Sequence, residues 1–305
     1  MVTSLLYSVI IPVYNNSKTI RRPLDSLKVQ SFKGFEVIIV DDCSDDFEDL
    51  EHVVDDYKDN LKIKVVRHQV NKNGAAARNT GVLYATAPYV AFLDSDDSWR
   101  NDKLSSVNKL IQAKSIDDQT LIYSMVNLYK GKKFMRVEPS RGINCNESVS
   151  DYFFCYGQLM QTSTFVCARV LAMEVGFDER FTRHQDSSFV MEAQKKGCTF
   201  KFINDPLVNY MFPESGLKKR ISQKRISVAY CDYWLNEMSD HFSSAALQGY
   251  NFYVKSRVLM ESGRPFSGCF LWFVSWVQFT PAMHLSLVKL LWKRYVGKRQ
   301  PSPSC

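Results

Sequence analysis

Apolar residues in the first hundred positions follow two rhythms. Short, nearly continuous apolar runs occur at 8–13 (SVIIPV), 35–40 (FEVIIV), 63–67 and 89–93 (YVAFL), each rich in β-branched or aromatic residues. Between them lie amphipathic stretches: 17–30, with helical spacing through Ile20, Leu24 and Leu27; the charged segment 46–60; and 75–86, which follows Gly74. Strands apolar at consecutive positions, alternating with helices, predict a mainly parallel sheet covered on both faces, a Rossmann-like α/β fold. Further along, 101–114 reads as a helix and 121–129 as a strand. Residues 130–150 are polar and carry Lys130, Lys132 and Lys133, the mark of a loop or an irregular hairpin. Short helices and strands mix over 151–212, residues 213–225 form a basic loop, and the pattern from 226 onward is helical.

In a sheet of this kind ligands bind outside the carboxyl ends of the strands. Two of the runs end in paired acids there, Asp41-Asp42 and Asp94-Ser95-Asp96-Asp97. Like charges gathered at one sheet edge need a compensating cation or hydrogen-bond donors. Oxygen ligands without His or Cys suit a hard divalent ion, Mn²⁺ or Mg²⁺, which takes one or two carboxylates together with substrate phosphates. Paired aspartates also serve as turns and helix caps, but two pairs at corresponding strand ends favour a site.

Composition narrows the class. The chain has 305 residues, 45% hydrophobic and 23% charged, with 13 Gly and 10 Pro, which excludes disorder, collagen-like repeats and a coiled-coil rod. Eight scattered cysteines show no CxxC and no metal-ligand spacing, and read as reduced thiols. The net charge of +7 is uneven: residues 262–305 carry +6 with no acid, and the remainder carries +1. A nucleic-acid binder would spread its basic residues over the folded face, so no nucleic-acid partner is expected. The first apolar run lacks a basic leader and a cleavage site, so it is expected to be a buried strand of a cytoplasmic protein.

SVIIPVYN at 8–15, VDDCSDD at 40–46, NKNGAAARNTG at 71–81 and FLDSDDSW at 92–99 resemble, in order and spacing, the motifs of the family-2 inverting glycosyltransferases of GT-A fold. GFDERFTRHQDSSFVMEAQKKG at 176–197 is similar to the acceptor-side motif of that family, and its HQD form resembles bacterial lipopolysaccharide and surface-polysaccharide enzymes. The resemblance spans about residues 8–210. It implies a nucleotide-diphosphate sugar donor, a UDP-sugar by expectation, with Asp96 as the metal ligand and Asp94 on the nucleotide sugar or a metal-bound water. Ser95 lies between them. Asp42, with Asp41, would face the nucleobase or ribose, walled by Pro12 and Tyr14. Arg78 would contact base or diphosphate, or pair with a neighbouring Asp. Gly74 would allow close backbone approach, or make a turn with Asn73. Asp97 would support the metal site or cap a helix. Asp186 matches the catalytic base, with His184 and Gln185 shaping the acceptor pocket. Glu192 stands where the family often has Arg.

These expectations divide the chain into a GT-A catalytic domain at 1–212, a basic loop and helices at 213–261, and a basic, aromatic tail at 262–305. The catalytic domain has a nucleotide-sugar half at about 1–100 and an acceptor half at about 101–212. Lys218, Lys219, Arg220, Lys224 and Arg225 would close over the diphosphate or sit in solvent. CFLWFVSWVQF at 269–279 is too short to span a bilayer, and the segment 283–297 is amphipathic, with Trp292 and Tyr295 beside Lys293 and Arg294. The tail therefore reads either as an anchor on an anionic membrane surface or as a helical subdomain on the core. The anchor reading implies a lipid-linked saccharide acceptor on the cytoplasmic face of the inner membrane. Two other functions compete. A sugar nucleotidyltransferase would carry glycines after its first strand, which YNNSKTIRR lacks. A catalytically silent sugar-nucleotide-binding assembly protein would not need Asp94, Asp96 and Asp186 together.

Overall fold

The computed structural model describes residues 5–113, 116–212 and 226–297. The chain divides into two units, one of Met1–Gly142 with Met160–Pro213, the other of Ile143–Leu159 with Glu214–Cys305.

The first unit is built on a nine-stranded sheet. Its parallel part is formed by β1 (Tyr7–Val13), β2 (Phe35–Asp41), β3 (Ile63–Arg67) and β4 (Tyr89–Phe92), in the order β3-β2-β1-β4. Every residue of β2 is buried, as its unbroken apolar run requires, whereas β3 at the edge is half-exposed. Burying Val37, Ile38, Ile39 and Val40 stabilises the unit by about 1.5–3 kcal/mol per side chain. Helices α1 (Arg21–Lys28), α2 (Phe47–Asp55) and α3 (Gly74–Tyr84) connect these strands. Helix α3 lies tight on β1: a Cβ at Gly81 would stand 2.3 Å from Cγ2 of Ile10, so only glycine fits there. Helix α1 begins later than its apolar spacing suggests. Asn15 takes φ 50°, the Asn16 side chain donates to Ser95 Oγ, and the Ser17 amide donates to Asp46. Those bonds hold 15–17 as a loop at the strand ends.

Beyond β4 the sheet turns mixed. β5 (Ser98–Trp99) pairs antiparallel with β9 (Thr199–Phe212), β6 (Thr120–Lys130) runs parallel to β9, and β8 (Val166–Ala168) lies antiparallel between β4 and β6. Residues expected to form a loop or irregular hairpin give β7 (Lys133–Glu138), which pairs with β6 through a two-residue turn where Gly131 takes φ 57°. Helices α4 (Lys103–Gln112), α6 (Arg169–Val175) and α7 (Gln185–Lys195) complete this unit.

The second unit is helical: α5 (Val149–Phe154), α8 (Val228–Glu237), α9 (Ser244–Tyr250), α10 (Ser256–Glu261), α11 (Pro265–Val277) and α12 (Pro281–Gly297). The sequence reading put 143–159 in the acceptor half, but these residues group with the later helices. The reason is aromatic packing. Phe154 stacks on Phe242 and meets Trp234 and Tyr250 edge-on, while Gly249 brings α9 so near α5 that a Cβ would overlap the carbonyl of Phe154. Among the described residues no helix is long and apolar enough to cross a membrane. Helix α11 buries Gly268 and Ser275, and Trp272 leans on Phe252. It exposes Phe266, Phe270, Phe273 and Val277, and α12 exposes Leu285, Val288 and Trp292. Lys218, Lys219, Arg220, Lys224, Arg225, Lys298 and Arg299 lie outside the described residues, as do the side chains of Lys293, Arg294 and Tyr295. The seven described cysteines are free thiols.

Candidate active site

Asp41 closes β2, Asp42 follows it, and both are buried. Asp42 anchors the loop leading into α3. Its Oδ1 accepts from the Lys72 amide at 2.8 Å, and its Oδ2 accepts from the Asn73 amide at 2.7 Å. His68 Nδ1 lies 2.8 Å from the same Oδ1, and its Nε2 faces Thr80 Oγ1. Asp41 Oδ2 accepts from the Ser44 amide and pairs with Arg67, while Asp41 Oδ1 is buried with no partner. Pro12 and Tyr14, at the end of β1, are half-exposed.

Helix α3 starts on Asn73, which takes φ 85° and accepts the Ala75 amide on its own side chain. From this start the helix presents a polar face to the segment 177–185. Asn79 bonds the Phe177 backbone in both directions, and Asn73 Nδ2 donates to the Glu179 carbonyl. Arg78 is buried and donates twice, to Gln185 Oε1 at 2.8 Å and to Asp94 Oδ1 at 2.6 Å, with its guanidinium over the Phe177 ring. Of the two roles the sequence left open for Arg78, its protein contacts include the pair with a neighbouring Asp. Gly74 sits beneath this junction. A Cβ there would meet Arg78 Nη1 and Gln185 Oε1, each at 3.2 Å.

The acids after β4 have separate partners. Asp94 holds Arg78 on Oδ1 and Gln161 Nε2 on Oδ2 at 3.4 Å, and its amide donates to Ser163 Oγ. Asp97 is fully buried. It accepts from Ser163 Oγ at 2.7 Å, from Gln161 Nε2 at 3.0 Å and from the Met211 amide at 3.3 Å. Burial, and then the charges of Asp96 and Asp94, push the Asp97 carboxyl well above the ordinary Asp range. Ser95 is buried and bonds Asn16 and Thr19, while Asp96 presents its carbonyl to Arg22. The short 3₁₀ turn Thr162–Thr164 braces these acids, and is braced in turn. Trp99 Nε1 donates to the Ser163 carbonyl, and the fully buried Lys103 donates to the Thr164 carbonyl at 2.7 Å. Burial lowers the Lys103 pKa to about 7.

Asp186 is the second residue of α7, half-exposed, and accepts its neighbour's amide, that of Ser187, on Oδ1. Desolvation raises its pKa, and the charges of Arg78 and Asp94 act on it in opposite senses. His184 precedes the helix in the left-handed region at φ 57°, and burial, then Arg183, lowers its pKa to about 4. Gln185 links the parts: it accepts from Arg78 and donates to Asn73 Oδ1 and to the Phe181 carbonyl. Hydrogen bonds therefore run unbroken from Asp42 through Asn73, Gln185, Arg78, Asp94 and Gln161 to Asp97. Glu192, in the last turn and a half of α7, lies 4.0 Å from Lys196, which follows the helix. The sequence reading missed Gln161, Ser163 and Lys103, and gave Asn73 only as a turn residue. The run QTST at 161–164 inside an apolar stretch was the available signal.

Among the described residues no cluster of three or more His, Cys, Asp or Glu side chains stands ready for a metal. The oxygens of the motif 94–97 are of the kind that suits a hard divalent ion, which would relieve the repulsion among its acids.

A mixed α/β sheet with acids at the ends of β2 and β4, the strands on either side of β1, fits the frame of a GT-A transferase. The model of glycosyl transferase family 2 matches residues 8–173. The amylovoran biosynthesis glycosyltransferase AmsB of Erwinia amylovora is 42% identical over 252 residues, 81% of this chain and 82% of that protein. The chain belongs to glycosyl transferase family 2 and is a glycosyltransferase. The Escherichia coli UDP-Glc:α-D-GlcNAc-diphosphoundecaprenol β-1,3-glucosyltransferase WfaP is 35% identical over 130 residues, 43% of this chain and about half of that protein (49%). The crystal structure of S. aureus TarS 1–349 with UDP-GlcNAc matches with a TM-score of 0.64 at 20% identity, covering 91% of this chain and 81% of that one. That likeness carries the fold alone, and the fold is GT-A.

Proposed function

We propose that this glycosyltransferase moves a hexose or N-acetylhexosamine, with inversion, from a UDP-sugar to a saccharide acceptor in lipopolysaccharide or surface-polysaccharide assembly. The observation that carries the reading is the hydrogen-bonded chain from Asp42 to Asp97, beside which Asp186 feels the charges of both Arg78 and Asp94. In this reading Pro12, Tyr14, Asp41 and Asp42 surround the nucleoside, Gly74 and Ser95 let the backbone approach, and Arg78 and Asp94 face the donor sugar and diphosphate. His184 and Gln185 shape the acceptor side. Asp186, as carboxylate, takes the acceptor hydroxyl's proton while that oxygen bonds the anomeric carbon and the bond to the diphosphate breaks. Asp96 would hold Mn²⁺ or Mg²⁺, which when bound stabilises the charge of the departing diphosphate.

A lipid-linked acceptor is supported by the name of WfaP, which specifies a diphosphoundecaprenol-linked substrate for that relative. The exposed Phe266, Phe270, Phe273 and Trp292, with the basic excess after residue 262, support peripheral attachment to an anionic membrane at the cytoplasmic face of the inner membrane. The test is a screen of nucleotide sugars with lipid-linked and core-oligosaccharide acceptors, reading release of nucleotide diphosphate with and without Mn²⁺. One UDP-sugar should be consumed in a metal-dependent way. Condensation of sugar phosphate with a nucleoside triphosphate, or binding without any release, would overturn the reading in favour of a nucleotidyltransferase or a silent binding protein.

A further inference from the structure

The geometry points to Gln161 as a donor-sugar contact, its carboxamide oxygen accepting a hydrogen bond from a ring hydroxyl of the hexose beside Asp94. The inference rests on the reading of this site as one for a sugar nucleotide. Gln161 is 8% exposed. Its Nε2 donates toward Asp97 Oδ2 at 3.0 Å and Asp94 Oδ2 at 3.4 Å, and lies 3.2 Å from Ser163 Oγ. Two acceptors on that side fix the amide's orientation, because the reverse would set its oxygen against both acids. Gln161 Oε1, on the same amide, is buried with no hydrogen-bond partner. Native proteins leave few such atoms, and each calls for an explanation.

The other flank of Asp94 repeats the pattern with opposite polarity. Arg78 holds Asp94 Oδ1 through Nη2, is itself 8% exposed, and keeps Nε buried with no partner. One acid is thus flanked by an unpartnered acceptor on Gln161 and an unpartnered donor on Arg78. A phosphate oxygen only accepts, so it satisfies Arg78 but not Gln161. A hydroxyl both donates and accepts, and a pyranose carries several in fixed positions. Water on a bound metal also donates, and the experiment separates it from the sugar.

Gln161→Met keeps the side-chain length and removes the acceptor together with the Nε2 donor to Asp94 and Asp97. Calorimetric titrations would compare UDP with Mn²⁺, the intact UDP-sugar with Mn²⁺, and a series of deoxy UDP-sugars, each lacking one hydroxyl. The variant should weaken UDP no more than Ser163→Ala does, and the UDP-sugar about tenfold beyond that, the loss expected for one neutral hydrogen bond. For the deoxy analogue lacking the contacted hydroxyl, the two proteins should differ no more than they do for UDP. Gln161→Asn keeps the amide but draws it back one methylene, and it should show the same selective loss whether or not Gln161→Met folds. Equal weakening of UDP and UDP-sugar would mean a metal-water contact or a brace for the acids, and would overturn the inference. So would unchanged affinity, or a defect that no deoxy analogue removes. Ser163→Ala, which breaks a bond to Asp97 and leaves the Gln161 oxygen in place, should weaken UDP and UDP-sugar alike. A defect confined to the sugar in that variant also counts against Gln161. If the wild type binds no sugar nucleotide, the reading of the site fails first.

Discussion

Arg78 and Gln185 lie 107 positions apart in sequence and are joined by a 2.8 Å hydrogen bond. The same guanidinium holds Asp94, so one side chain ties the acids after β4 to the helix that carries Asp186.

Asp186→Asn should reduce kcat by about 10²–10⁴-fold, the usual worth of a general base, with donor Kd unchanged. Because desolvation raises the Asp186 pKa, the acid limb of the wild-type pH profile should stand above the ordinary Asp value, with activity lost as pH falls through it. Stability moves the other way. A carboxyl with a raised folded pKa destabilises the fold as pH rises through that value. At neutral pH the Asn variant should therefore melt no lower than the wild type. Steady-state kinetics across pH, with melting curves, checks both.

Asp96→Ala should abolish transfer and remove the Mn²⁺-dependent part of UDP binding, with the circular dichroism spectrum preserved. Titration of UDP with and without Mn²⁺ measures this. Retained metal dependence would move the ligand role to another acid.

Two glycine-to-alanine changes in α3 should separate site from scaffold. Gly81→Ala forces a methyl against Ile10 and should cost about 1–3 kcal/mol by overpacking, with kcat little changed. Gly74→Ala crowds Arg78 and Gln185 at 3.2 Å and should lower kcat/KM by about tenfold or more, since small misplacements at a reacting site are costly. Denaturant melts beside kinetics on both variants read the contrast.

Lys103 should leave a mark on the pH dependence of stability. Its ordinary pKa of 10.5 falls to about 7 in the folded chain. Between those values the unfolded chain holds a proton that the folded chain does not, so the group's contribution to stability rises with pH across that window. Lys103→Met should flatten the rise between pH 7 and 10 in urea melts compared with the wild type.

Vesicles should recruit the protein in proportion to their anionic lipid content, with each basic residue near the surface contributing about 1 kcal/mol. Phe270→Ser combined with Phe273→Ser should weaken flotation at high salt, where charges are screened and apolar burial remains. Binding indifferent to lipid charge, or none, would leave α11 and α12 with a purely structural role.

The nucleotide half was legible because its signals are local. SVIIPV and FEVIIV can scarcely be anything but buried strands, and the acids that follow FEVIIV and YVAFL fall where the sheet delivers them. What stayed hidden depends on contacts made at long range. Nothing near Gln161 or Ser163 in sequence tells that Asp97, more than sixty positions earlier, accepts from both. Residues 143–159 have no local mark of their allegiance either, because Phe154 finds its partners at Trp234, Phe242 and Tyr250. The late start of α1 likewise follows from Asn16 and Ser17 bonding to Ser95 and Asp46.

The chain of hydrogen bonds from Asp42 to Asp97 also sets an order on synthesis. Its first members, Asp42, Asn73, Arg78 and Asp94, lie in or beside the strands and helices of the first hundred residues. Gln161 and Gln185 come much later, and loops of that length close slowly. With only its first hundred residues free, the chain already carries its acids, while Asp97 lacks Gln161 and Ser163, and Arg78 lacks Gln185. Only when the chain beyond position 185 has emerged can these bonds close, so the residues of the parallel sheet are free to pair before those of the candidate site meet.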